Sequence, residues 1–159
     1  MFNFRALTRA LVDHEVEFII VGGLAGVLQG APLMTKDVDI LYSLSEPNPT
    51  RLLAALEELD AVFRGDARRL RPKASHLLSR GHKLLSTPFG DLDCLGTIEE
   101  STTYEDLAGH IDLIELDGTM LQVISLPRLI EVKKKLTRPK DQLALLQLEA
   151  TLRERTKKP

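Results

Sequence analysis

A mixed α+β domain is the fold class that the 159-residue sequence predicts, and three observations carry it. Two stretches read as hairpins: His82 to Asp91–Leu95 around Pro88-Phe89-Gly90, and Ile111 to Ile124 around Asp117-Gly118, the second a strong turn signal. Both ends of the chain carry apolar residues at helical period. Between them, Phe18-Ile19-Ile20-Val21 and Val38-Asp39-Ile40-Leu41-Tyr42 are short β-branched or aliphatic runs of strand length. Two hairpins disfavour a purely alternating βαβ chain. The expectation is one domain over residues 1–159, with five or six strands in one mixed sheet and helices packed on it.

In chain order, Phe4, Leu7, Leu11 and Val12 define an amphipathic first helix over residues 3–14, leading into a strand at Glu17–Val21. Gly22-Gly23 permits a sharp backbone turn, and Leu24–Gln29 reads as a short helix closed by Gly30 and Pro32. A strand comes next at Asp37–Tyr42. Asn48-Pro49 then reads as a helix cap with proline at the first helical position, opening a helix to about Asp60. Residues 61–80 are basic and broken by Pro72, with a short helix at Ala74–Ser79. After the first hairpin, Thr103 reads as the cap of a short helix to Gly109. Leu126-Pro127 opens a helix to about Leu136 after the second hairpin, and Arg138-Pro139 starts a final one whose tail, 153–159, is expected to fray.

Asp37 and Asp39 are two apart on a strand, so they share a face with Cα atoms roughly 6.6 Å apart. The acid-x-acid spacing alone decides nothing, because it also occurs at Glu15/Glu17, Glu58/Asp60 and Glu115/Asp117. Those three sit at a helix–strand step, a helix end and a turn, where solvated acids are ordinary. Asp37/Asp39 and Asp91/Asp93 lie in apolar strands beside glycines, where carboxylates are costly unless something positive balances them. Facing Gly22-Gly23, Asp37 and Asp39 form a cradle suited to a metal-bound polyphosphate. Lys36, by strand alternation, faces away from them.

The hydrophobic–Gly-Gly–short helix–Asp-x-Asp order over Phe18–Tyr42 resembles the nucleotidyltransferase fold of the DNA polymerase β superfamily. Within it, the chain looks like the small bacterial nucleotidyltransferases of minimal and abortive-infection toxin type. The resemblance implies a third acid on a later strand, flanked by apolar residues. Leu92-Asp93-Cys94-Leu95 fits that pattern, so Asp93 is assigned. Asp91 shares its face and follows Gly90 at the turn, so spacing alone leaves the two open. By the same resemblance Asp37, Asp39 and Asp93 would be the catalytic acids and would hold two Mg²⁺ ions, since nucleotidyl transfer uses paired metals to clamp the attacking and leaving oxygens. Gly22 and Gly23 would meet the phosphates of an NTP. In the stretch LIEVKKKLTRPKD, Lys133, Arg138 and Asp141 match a basic motif of these enzymes, with Lys133 reaching the triphosphate; otherwise they form a solvated basic face and a helix cap. Gly23 stands where many relatives carry serine.

The implied activity is Mg²⁺-dependent transfer of an NMP from an NTP to a hydroxyl of a protein, a tRNA or a small molecule. A toxin–antitoxin setting with a partner protein is a further implication. The alternative is a non-catalytic nucleotide-binding or protein-interaction module with the same fold. Net charge is −2, which argues for neither nucleic acid nor membrane, although the segments Arg64–Lys73, Lys133–Lys140 and Arg153–Lys158 concentrate basic residues. Arg64–Lys73 is either a contact for acceptor RNA or nucleotide phosphates, or a solvated loop. Cys94 is the only cysteine, so no intrachain disulfide exists, and it alternates into the core away from Asp93. His14, His76, His82 and His110 show no zinc spacing with it, and Ser75-His76 has no serine-hydrolase context. The amino terminus reads as neither signal peptide nor membrane span, so a cytoplasmic location is expected.

Overall fold

The computed structural model describes residues 2–157. A seven-stranded sheet has the order β3-β4-β5-β2-β1-β7-β6. Its strands are β1 (Phe18–Val21), β2 (Asp37–Tyr42), β3 (Val62–Phe63), β4 (His82–Thr87), β5 (Gly90–Leu95), β6 (Ile111–Leu116) and β7 (Thr119–Ile124). The helices are α1 (Phe4–Asp13), α2 (Gly22–Leu28), α3 (Asn48–Glu58), α4 (Ala74–Leu77), α5 (Leu126–Lys134) and α6 (Pro139–Lys157). Strand pairs β2–β5 and β1–β7 run parallel and the rest antiparallel, so the sheet is mixed.

The two strands at the centre are the most apolar. All four residues of β1 are buried, as are Val38, Ile40, Leu41 and Tyr42 of β2. Each such side chain contributes about 1.5–3 kcal/mol when fully buried, so these strands hold the middle of the sheet. The buried Tyr42 hydroxyl donates to the Leu77 carbonyl of α4 at 2.7 Å. The two hairpins flank this centre as expected, with Asp117 and Gly118 both at positive φ in the β6–β7 turn.

Four details differ from the sequence reading. There are seven strands, not five or six: β3 is a two-residue edge strand on β4, too short to show any periodicity. Thr103 does act as a cap, accepting from Asp106 N at 3.3 Å while Asp106 Oδ2 accepts from Thr103 N at 2.9 Å, but the element it opens is a single 3-10 turn, Glu105–Leu107. Asn48 does not cap α3. Its buried side chain accepts from Glu17 N at 2.6 Å and donates to the carbonyls of Glu17 and Ser43, tying the entry of β1 to the exit of β2. The stretch from 153 is helical, as α6 continues to Lys157, and Arg155 donates to the Gln29 side-chain oxygen at 2.8 Å. Lys158 and Pro159 lie outside the described residues. No described helix is long and apolar enough to cross a membrane.

Candidate active site

Register places the acids. The antiparallel β1–β2 pair sets Val21 opposite Asp39, so the chain leaving β1 passes directly beside that carboxylate. The parallel β2–β5 pair sets Asp37 beside Asp91 and Asp39 beside Asp93. Residues paired across a ladder project from the same face, so four carboxylates lie on one face of adjoining strands. Val38, Ile40, Leu92 and Cys94 alternate to the other face and are buried in the core.

Only three of the four acids converge. Carboxylate oxygens of Asp37, Asp39 and Asp93 lie within 4.8 Å of one another, the one such cluster among the described residues. Burial first, and the charges of Asp37 and Asp93 second, push the Asp39 carboxyl well above the usual carboxylate range, to about 8. Burial and the neighbouring Asp93 raise Asp37 as well. Three hard oxygen donors repelling one another suit a Mg²⁺ ion, which takes carboxylate oxygens and would remove that repulsion. Asp91 stands apart: its side chain accepts from Ser86 Oγ at 3.2 Å and pairs with Arg64 Nε at 3.2 Å.

Gly22 is required at its position twice over. Its φ is +78°, which L side chains rarely adopt, and a Cβ there would lie 2.1 Å from Asp39 Oδ2. Gly22 thus brings the backbone at the start of α2 against the acid cluster. Gly23 is packed against Thr35, where a Cβ would meet Oγ1 at 3.0 Å. The Thr35 hydroxyl donates to the Asp37 carbonyl at 3.0 Å and secures the start of β2. Lys36 precedes β2 and is exposed, unlike Val38 and Ile40, the buried residues at the alternate positions that follow it.

Opposite the acids stands α5. A cleft of about 280 Å³ runs between the sheet face and this helix, lined by Gly22, Asp39 and Asp93 on one side and by Val132, Lys133 and Arg138 on the other. Lys133 Nζ lies 3.3 Å from Asp141 Oδ1, and Arg138 Nε lies 2.7 Å from Asp141 Oδ2. Asp141 is 1% exposed. Burial raises its carboxyl, but the bonds from Arg138 and the Lys133 charge outweigh this and hold it below the ordinary value. A larger hollow of about 370 Å³, lined by Asn3, Arg5, Arg9 and Asp117 among others, contains none of the clustered acids.

Sequence reasoning missed two features of this neighbourhood. Arg64 reaches both Asp91 and Asp93. Glu99, at φ +51° and 5% exposed, is held by Arg128 and by Lys135 Nζ at 2.5 Å; the bond from Arg128 leads in lowering its carboxyl to about 2. This pairing ties the loop after β5 to α5. Among the basic residues at 64–73, Arg68 pairs with Asp66 at 3.1 Å and Arg71 pairs with Asp60, so much of that charge is balanced within the loop region. His14 pairs with Glu58 at 3.3 Å and His76 packs edge-on against Phe63, so neither joins the acids.

No protein-family model matches the sequence, and no curated protein matches it. Solved structures do match. A candidate nucleotidyltransferase from Thermotoga maritima aligns at 18% identity with TM-score 0.57, covering 96% of this chain and 89% of that one. The structure of ANT(2″)-Ia with adenylyl-2″-tobramycin aligns at 16% identity and TM-score 0.60, over 94% and 87% of the two chains. The lincosamide antibiotic adenylyltransferase LnuA, bound to lincomycin, aligns at 12% identity and TM-score 0.66, over 94% and 98%. The chain has the nucleotidyltransferase fold, with the mixed sheet and packed helices that define it here.

Proposed function

We propose that the protein is a Mg²⁺-dependent nucleotidyltransferase that moves an NMP from an NTP to a hydroxyl acceptor. The observation that carries this reading is the convergence of Asp37, Asp39 and Asp93 beside the Gly22 turn. Neighbours with the same fold are named as transferring nucleotidyl or adenylyl groups, which supports the reaction class.

Asp37, Asp39 and Asp93 would hold two Mg²⁺ ions, whose chemistry is to neutralise phosphate charge and stabilise the attacking and leaving oxygens. The acceptor oxygen forms a bond to the α-phosphorus, the bond from that phosphorus to the bridging oxygen breaks, and pyrophosphate leaves. Asp93 lies beside Asp39 on the adjacent strand, where it can take the acceptor proton. Gly22 and Gly23 keep the α2 entry free of side chains so that a phosphate can approach the backbone there. Lys133 would meet the triphosphate, a role supported by its place in the cleft that Asp39 also lines and by its pairing with Asp141. The acceptor is a protein, a tRNA or a small molecule, and a toxin–antitoxin setting with a partner protein belongs to the same proposal through the family resemblance.

The test is incubation with each α-labelled NTP, Mg²⁺, cell protein and tRNA, with a parallel reaction on a small-molecule hydroxyl panel. The reading expects a covalently labelled product and released pyrophosphate, both lost in Asp39→Asn. Binding of NTP and Mg²⁺ without transfer would instead support a non-catalytic nucleotide-binding module.

A further inference from the structure

Arg64 lies just beyond the edge strand β3, two strands away from β5, yet its side chain reaches the acids of β5. Its Nε lies 3.2 Å from Asp91 Oδ2, its Nη2 donates to Asp93 Oδ1, and the same Nη2 donates to the Leu85 carbonyl at 3.1 Å. The backbone of Arg64 is fixed too, its N–H donating to the Leu84 carbonyl at 2.9 Å. The guanidinium therefore crosses the face of β4 and is held by partners on both β4 and β5. Its side chain is about one-third exposed, whereas that of Asp93 is 12% exposed.

We infer that Arg64 is the positioning residue for Asp93, the clamp that makes the two β5 acids unequal. The inference rests on the proposed reading of the acid cluster. Asp91 and Asp93 are two apart on one strand and share a face, so strand geometry treats them alike. The fork of Arg64 does not: it pairs with Asp91 through Nε and holds Asp93 Oδ1 through Nη2, and of the two only Asp93 also has a carboxylate oxygen within 4.8 Å of those of Asp37 and Asp39. A planar guanidinium can bridge two carboxylates in a fixed geometry, while a lysine ammonium acts as a single point charge. Three partners of the guanidinium and a fixed backbone distinguish this arrangement from a swinging latch, which would need Arg64 to leave freely. It also supplies a positive charge to a face that carries four carboxylates.

The test measures Mn²⁺ affinity of the purified protein by electron paramagnetic resonance, without nucleotide, for the wild type, Asp39→Asn, Arg64→Gln and Arg64→Lys. Outer partners of metal ligands, when removed, lower metal affinity or activity by roughly 10- to 100-fold. A loss in that range is expected for Arg64→Gln, with only partial recovery in Arg64→Lys, and melting temperature reports whether each variant is folded. Transfer assays should show the loss in kcat, with the KM for NTP little changed, because Arg64 does not reach Lys133 or the Gly22 turn. Where Arg64→Gln melts early, Arg64→Lys decides, since it keeps the charge and loses the fork. Unchanged or tighter Mn²⁺ binding in folded Arg64→Gln overturns the inference while leaving the acid cluster intact as a metal site. Failure of the wild type to bind Mn²⁺ above the Asp39→Asn background overturns the metal-site reading itself, and the inference with it.

Discussion

Two acid-x-acid pairs, Asp37/Asp39 and Asp91/Asp93, lie side by side in register on parallel strands, yet they end in different states. Both members of the first pair enter the cluster, and only one member of the second does. In the first pair Asp39 lies against Gly22, where the absent Cβ leaves room for its carboxylate. The second faces β4 and the Arg64 side chain that crosses it, which takes Asp91 as an ion-pair partner. Spacing on a strand creates a shared face, and the neighbouring strands decide which acids on that face meet.

Substitutions can break this comparison. The largest effect is expected for Asp39→Asn, which lies at the centre of the cluster: transfer should fall by at least about 100-fold, the cost of losing one active-site electrostatic contact. Asp93→Asn should approach that loss, while Asp91→Asn should cost only several-fold, because Asp91 lies outside the cluster and is paired with Arg64 and Ser86. Rates measured side by side at saturating Mg²⁺ check this, and equal losses at 91 and 93 would erase the distinction between the two positions. Gly22→Ala should lower both transfer and thermal stability. A side chain held at φ +78° costs about 1–3 kcal/mol, to which the clash with Asp39 adds. Its melting curve and kinetics should deteriorate together, whereas Asp39→Asn should leave the melting temperature unchanged or raised, since it removes a carboxyl whose charged form burial and then the neighbouring acids disfavour.

A smaller effect concerns the far side of the cleft. The Glu99 carboxyl is held near 2 against an ordinary value of 4.5, chiefly by the bond from Arg128. A depressed folded-state value means that its stabilisation is fully present above about 4.5 and is lost as pH falls through 2. Glu99→Gln should therefore be less stable than the wild type at neutral pH, and the difference should shrink below about pH 4.5 in acid-unfolding curves. No narrowing of that gap would contradict the Glu99–Arg128 pairing.

How much of the fold and site is legible in the sequence depends on range. The Gly22 turn and Asp37/Asp39 are encoded within one short stretch of chain, and local rules read them. The pairing of β5 against β2 is a parallel contact between strands distant in sequence, so the choice between Asp91 and Asp93 needs the fold. Arg64 reads only as part of a basic loop, because β3 is two residues long and the Asp93 partner lies 29 positions on. Asn48 misleads for a related reason: local preference makes it a helix cap, but three bonds to the backbone at Glu17 and Ser43 claim its side chain. The carboxy-terminal tail is ordered through Arg155 by a bond to Gln29, 126 positions away, which no local pattern can announce.

The most direct test is anomalous diffraction from crystals soaked in Mn²⁺ with a non-hydrolysable NTP analogue. The account predicts anomalous density bonded to Asp37, Asp39 and Asp93, with the triphosphate at the Gly22 turn and Asp91 still paired with Arg64. Density ligated by Asp91 in place of Asp93, or none at the cluster at full Mn²⁺ and nucleotide saturation, would contradict it.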